Sequence, residues 1–146
     1  MGMLQMFPLL AISFLAYAAL TVATGGTGSA ETATFWHETL FMELPLPSGD
    51  IWAVRGGDFF LVVSTMFLFV ELVRATRTDA SSITNHIFSI LLAVLCVLAF
   101  ILAPGFGNST FFIYTAMTFL DALAGMVVTT TTARRDFSVA DGARLG

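Results

Sequence analysis

Phe111-Phe112-Ile113-Tyr114-Thr115-Ala116-Met117-Thr118-Phe119-Leu120-Asp121-Ala122-Leu123-Ala124-Gly125-Met126-Val127-Val128 carries one acidic residue and no basic one: Asp121, near its middle. A bilayer core of about 30 Å needs about 20 helical residues, and this stretch with its flanks supplies them. It has no strict period-2 alternation, so a helix rather than a barrel strand satisfies its backbone in lipid. A carboxylate at that depth is costly and is usually placed for a reason. Asp121 therefore decides both the class of the protein and where its function is sought.

Working outward, the chain repeats this pattern. The spans expected are Met3–Ala23, Asp58–Thr76, His86–Ala103 and Thr110–Thr130. Pro8 falls in the first turn of the first, where a missing N–H costs little. A cleaved signal peptide is the rival reading there, with Gly28-Ser29-Ala30 as a loose cleavage site. The stretch before it has no Lys or Arg, so a retained helix is expected. Pro104-Gly105 stops the third span, by a lost donor and a permissive backbone. Pro104–Asn108 is then a short connection, which makes spans three and four adjacent and antiparallel. Asn108-Ser109-Thr110 matches a glycosylation sequon but reads as a helix cap.

Composition agrees. Hydrophobic residues are 57% of the 146-residue chain and charged residues 11%, against about one quarter charged in soluble domains. The mean hydropathy is +0.88. The spans leave no room for a separate soluble domain, so residues 1–146 form one all-α membrane unit, a four-transmembrane-helix bundle. The formal charge is −4 and there is no Lys; nothing resembles a nucleic-acid-binding patch. Cys96, the single cysteine, lacks a disulfide partner and reads as a small apolar filler.

Arg74 and Arg77 lie between spans two and three, and Arg134, Arg135 and Arg144 in the tail from residue 131. The first loop, residues 24–57, has only Arg55 against Glu31, Glu38, Glu43 and Asp50. Positive loops stay cytoplasmic, which places both termini inside and residues 24–57 outside. In that loop Trp36, Leu40 and Leu44 share one face of a short helix, predicted to lie in the interface over residues 35–44 with Trp36 and Trp52 as headgroup-level anchors. The alternative is a two-stranded ribbon, Thr32–Trp36 against Ile51–Val54 across the Pro45–Gly49 turn region; isolated hairpins are marginal. His37, Glu38, Glu43 and Asp50 lack any recognised metal-ligand spacing and read as a solvated acidic loop.

Three intramembrane residues are candidates for function. Glu71 and Arg74, three apart, share a helix face. Glu71 sits roughly 7–8 Å from the inner end of its span, and Arg74 can snorkel to the headgroups. The pair is either a self-neutralising interfacial couple or part of a proton or cation relay. Asp121 has no cation in its own span. Ala122, Ala124 and Gly125 beside it let another helix approach, so Asp121 is expected to face the bundle interior, in the neutral form. Ser64, Thr65, Arg74, Ser89, Ser13 and Tyr17 are its candidate partners. The plain reading is an interhelical hydrogen-bonding staple; the functional one is ion handling. His86 reads as interfacial, and the four threonines Thr129–Thr132 as backbone-bonded. His37 and His86 fall on opposite sides of the membrane, so no haem pair is available. No nucleophile–base motif or phosphate loop occurs. No cofactor is expected, and an enzyme is not.

Glu71-Leu-Val-Arg-Ala-Thr-Arg-Thr, continuing through Ser81-Ser-Ile-Thr-Asn-His86, forms one recognisable stretch. Pro104-Gly-Phe-Gly-Asn-Ser-Thr-Phe-Phe, with Phe119-Leu-Asp-Ala-Leu-Ala-Gly and Ala133-Arg-Arg-Asp-Phe, forms another. Together they resemble a family of small four-helix bacterial inner-membrane proteins of uncharacterised activity. The resemblance implies topology and compartment, and no activity, cofactor or partner. The expectation is a non-catalytic accessory or scaffold subunit in contact with lipid and with other membrane subunits or itself. The alternative is a proton- or cation-conducting protein that uses Asp121 and Glu71.

Overall fold

The computed structural model describes residues 7–25, 35–75 and 80–142. Met3–Met6, Thr32–Ala33-Thr34, Arg77 and Arg144, on which some of the expectations above rest, lie outside these. Four α-helices dominate: α1 (Leu9–Ala23), α2 (Gly56–Ala75), α3 (Ala80–Leu102) and α4 (Ser109–Gly142). Segments within α2, α3 and α4 are long and apolar enough to cross a bilayer, whereas α1 is a shorter apolar helix of 15 residues.

Helix ends follow local chemistry. Pro8 is extended at the start of α1, and Thr24 closes it by donating its hydroxyl to the Leu20 carbonyl at 2.8 Å. At the start of α2 the Arg55 N–H donates to the Asp58 carboxylate at 2.8 Å, one half of a capping box. Asn108 Oδ1 accepts the Phe111 N–H at 3.0 Å, so Asn108 is the cap of α4 that the sequence suggested. Beyond the expected span α4 continues to Gly142, through part of the segment read as a tail.

Contacts at the two ends fix the directions of the helices. At one end the last turn of α1 meets the first turns of α2 and α4: Thr21 bonds to Trp36, and Gly57 lies against Thr110. At the other, Leu9 and Leu10 meet Glu71, and Phe7 stacks on Phe88 at 5.1 Å. Successive helices therefore run in opposite directions.

The segment between α1 and α2 corrects one expectation. Instead of a helix over residues 35–44, a single 3-10 turn, Trp36–Glu38, leads into β1 (Leu40–Pro45), which pairs antiparallel with β2 (Ile51–Arg55). The ribbon alternative had the right partner strand and the wrong first strand. Its turn fits the sequence: Gly49 sits at φ +91°, a conformation glycine adopts without strain. Alternation in Leu40–Pro45 is imperfect, because a register shift between Leu40 and Met42 takes up Phe41. Helix spacing and strand spacing are hard to separate over so short a run.

Burial is inside-out by the standard of a water-soluble domain. Ser13, Ser64, Glu71, Ser89, Thr118 and Asp121 are buried, while Leu15, Met66, Phe69, Ile101 and Phe112 are exposed. Large exposed apolar surface is unfavourable in water; a lipid surround removes that cost. The apolar part of the core gathers Tyr17, Phe60, Phe106, Phe111 and Tyr114 around Leu10, with the Tyr17 and Phe111 rings 4.7 Å apart.

Candidate functional site in the bundle interior

The carboxyl group of Glu71, only 1% exposed, caps the start of the first helix. The Leu9 N–H donates to its Oε1 at 2.8 Å and the Leu10 N–H to its Oε2 at 3.2 Å. These N–H groups belong to the first turn of α1, which has no intrahelical acceptors for them. A carboxylate there also faces the positive end of the helix dipole. The residue expected to pair with Arg74 thus serves mainly another helix: no contact within salt-bridge distance joins Glu71 to a described cation, and Arg74 acts on it only weakly, from a distance.

Asp121, 4% exposed, lies within electrostatic reach of Glu71. On its α3 side stand Ser89 and His86. Of the partners proposed from sequence, Ser89 is therefore the one placed beside it. Thr65 instead is exposed and donates to the Leu61 carbonyl. The small residues beside Asp121 do what was expected of them. Ala122 is buried, and a Cβ on Gly125 would run into the His86 ring. Gly125 is thus the seat of His86, a role not visible in the sequence, where His86 read as interfacial.

Tyr114 links these groups to α1. Its hydroxyl donates to the Leu10 carbonyl at 2.6 Å, so residues 9 and 10 are held from two helices by opposite ends of their peptide groups. Ser13 and Ser64 contribute buried hydroxyls that have no hydrogen-bond partner in the structure, and the Ser89 hydroxyl stands close to Asp121 without closing a well-formed bond. Each orphaned buried polar group costs about 1–3 kcal/mol. Two buried carboxyl groups, with Ser89 and His86 beside the second, make this the most chemically loaded region among the described residues.

A second polar layer closes the hairpin end. Asn108 Nδ2 donates to Tyr17 Oη at 2.7 Å, and Trp36 Nε1 donates to Thr21 Oγ1 at 3.1 Å. Trp36 packs edge-on against Tyr17 and Phe60, whereas Trp52 is half exposed on β2. His37 lies against Tyr17 and Trp36. Tyr17, Tyr114, Asn108 and His37 escaped notice as a set. Their signal was the helical recurrence of polar residues inside apolar spans: Ser13, Tyr17 and Thr21 on α1, and Tyr114, Thr118 and Asp121 on α4.

Burial holds the His37 imidazole below its ordinary value of 6.5, against the opposing pull of Glu38. The unfolded chain therefore takes up the proton first as pH falls. The contribution of neutral His37 is fully present above pH 6.5 and is lost as pH falls through the lowered value. Acidification below 6.5 should loosen the ring cluster, read as a change in Trp36 emission in a Trp52→Phe background. His37→Gln should remove that transition; its persistence at unchanged pH would assign it elsewhere.

Among the described residues no three of His, Cys, Asp and Glu gather as a metal site, and His37 and His86 sit in opposite end layers. No protein-family model, no functionally described protein and no solved structure matches the chain.

Proposed function

We propose that the chain is a non-catalytic, four-span protein of the bacterial inner membrane, acting as an accessory or scaffold subunit that associates with other membrane subunits or with itself. The observation that carries this reading is the double acceptance of the Leu9 and Leu10 N–H groups by Glu71. The most buried acid of the bundle is committed to joining helices. In such a bundle buried polar groups set which faces meet, and the apolar exterior is left for lipid and neighbouring subunits. Purification in mild detergent followed by mass spectrometry tests it: stable co-purifying membrane subunits or a defined homo-oligomer support the reading, and a lone monomer at native expression opposes it.

The compartment follows from the family resemblance over spans two to four, and the orientation from the arginines. With five of the six Arg inside, both termini are cytoplasmic. Reporter fusions at Gly146 and after Ser48 should report opposite sides of the membrane. Matching sides would remove the four-span topology.

A second reading, proton or cation conduction, is favoured by two buried carboxyl groups, Glu71 and Asp121, lying within electrostatic reach of one another with Ser89 beside the second. The two readings part at Asp121. As a staple, Asp121→Asn keeps the hydrogen bonds and Asp121→Leu does not. Interhelical bonds of this kind contribute about 0.6–2 kcal/mol. Asn should then retain thermal stability and assembly, and Leu should lose part of either. Abolition by Asn of a proton or cation flux in liposomes, with the fold intact, would replace the staple by the conductor.

A further inference from the structure

The corner between α3 and α4 borders an open cleft of about 560 Å³ against the 3-10 turn. That size is within the usual range for small-molecule sites, about 300–1,000 Å³. The cleft lies at the hairpin end, away from the carboxyl groups of the interior. Its lining combines aromatic and aliphatic side chains with the Glu38 carboxylate and the carbonyls at the end of α3, and among the described residues it holds no Lys or Arg, so its net character is negative.

Three observations give that character. Firstly, the last turn of α3 borders the cleft. The carbonyl of Phe100 would ordinarily accept from residue 104, but residue 104 is Pro and has no N–H. Among the described residues no backbone N–H outside the helix donates to the carbonyls of Phe100, Ile101 or Leu102. Free carbonyls at a helix C-terminus carry partial negative charge. Secondly, the exposed Glu38 carboxylate lines the same cleft. Beside it stands His37, which burial disfavours in its charged form, so it adds no opposing cation at neutral pH. Thirdly, Phe35 and Phe100 also line it, and aromatic faces attract cations. Asn108 contributes little, because its amide is used on Tyr17, Gly105 and Phe111.

We propose that this cleft binds a small organic cation with an apolar body, an ammonium whose charge rests among the α3 carbonyls and Glu38 while its body lies on Phe35 and Phe100. The site does not depend on the scaffold reading, since a subunit or a conductor presents the same corner. An anionic ligand is disfavoured by the same lining, which presents the Glu38 carboxylate and, among the described residues, no Lys or Arg to balance a second negative charge.

Full-length protein in nanodiscs, titrated calorimetrically with benzyltrimethylammonium and corrected with empty nanodiscs, tests the proposal. Saturable binding is expected, with none for phenylmethanesulfonate, which has a similar body and opposite charge. Glu38→Gln should weaken binding about two- to fivefold, the size of a partly exposed ionic contact. Phe100→Ala should weaken it further. Glu43→Gln, the same charge change on the hairpin, should leave it unaltered. Equal weakening by Glu43→Gln would reduce the effect to the general acidity of the loop. Binding of the sulfonate, or none of the ammonium above empty nanodiscs, would overturn the site.

Discussion

Replacing Glu71 by Leu should detach the start of α1 from α2 and produce the largest loss of stability of any single substitution in the bundle. The side chain is fully buried and both its oxygens accept backbone N–H groups. A backbone donor left buried without its partner costs about 1–3 kcal/mol, so losing both acceptors is expected to cost about 2–6 kcal/mol. Leu fills similar volume, so the loss reports the acceptors rather than a cavity. Glu71→Gln keeps one carbonyl oxygen and should lose about half as much. Titration with a denaturing detergent reads the stability. Amide exchange at Leu9 and Leu10 reads the cause, and unchanged exchange at those two amides in Glu71→Leu would sink the explanation. Part of the loss should be recovered in Glu71→Leu/Asp121→Asn compared with the sum of the singles, since the two carboxyl groups act on one another and neighbouring sites are not additive.

Gly125→Val is expected to be the next most damaging change. A Cβ at this position would overlap the Nδ1, Cγ and Cε1 atoms of His86, and Val adds further atoms to it. Overpacking of this kind costs about 1–3 kcal/mol, because α3 must move or the buried imidazole must leave its seat. The thermal midpoint should fall accordingly. His86→Ala combined with Gly125→Val should recover part of the fall, since the clash partner is then gone. If the double variant is no more stable than Gly125→Val, the ring is not what glycine accommodates.

Several features were readable before any packing was known. Asn108 and the Pro104-Gly105 pair marked the start of α4 and the end of α3, because each acts on the backbone within one turn; Pro8, expected inside the first turn of a helix from Met3, instead precedes α1 in an extended conformation. The interior position of Asp121 was also legible, since an isolated carboxylate among Ala122, Ala124 and Gly125 has few other places to go. The hairpin was not. Trp36, Leu40 and Leu44 fit a helix face, yet Leu40–Pro45 became a strand. Its pairing with Ile51–Arg55 is a longer-range event that local spacing does not encode.

Arg74 was the nearest candidate for Glu71 by sequence, and the Leu9 and Leu10 amides took that place from a helix more than sixty residues away. Helix α1 starts later than expected, at Leu9, α3 starts earlier, at Ala80, and α4 runs on to Gly142, but the sequence by itself determined four apolar helical segments. These depend on hydrophobicity and on local breakers, which act over a few residues. Only the tertiary structure decided which polar groups meet: Glu71 with the first turn of α1, Asp121 with Ser89, His86 with Gly125, Tyr114 with Leu10. Those partnerships depend on the rotation and axial register of each helix against its neighbours. A shift of one residue turns a helix by about 100° and moves it about 1.5 Å, enough to exchange every partner while leaving the hydrophobic pattern unchanged.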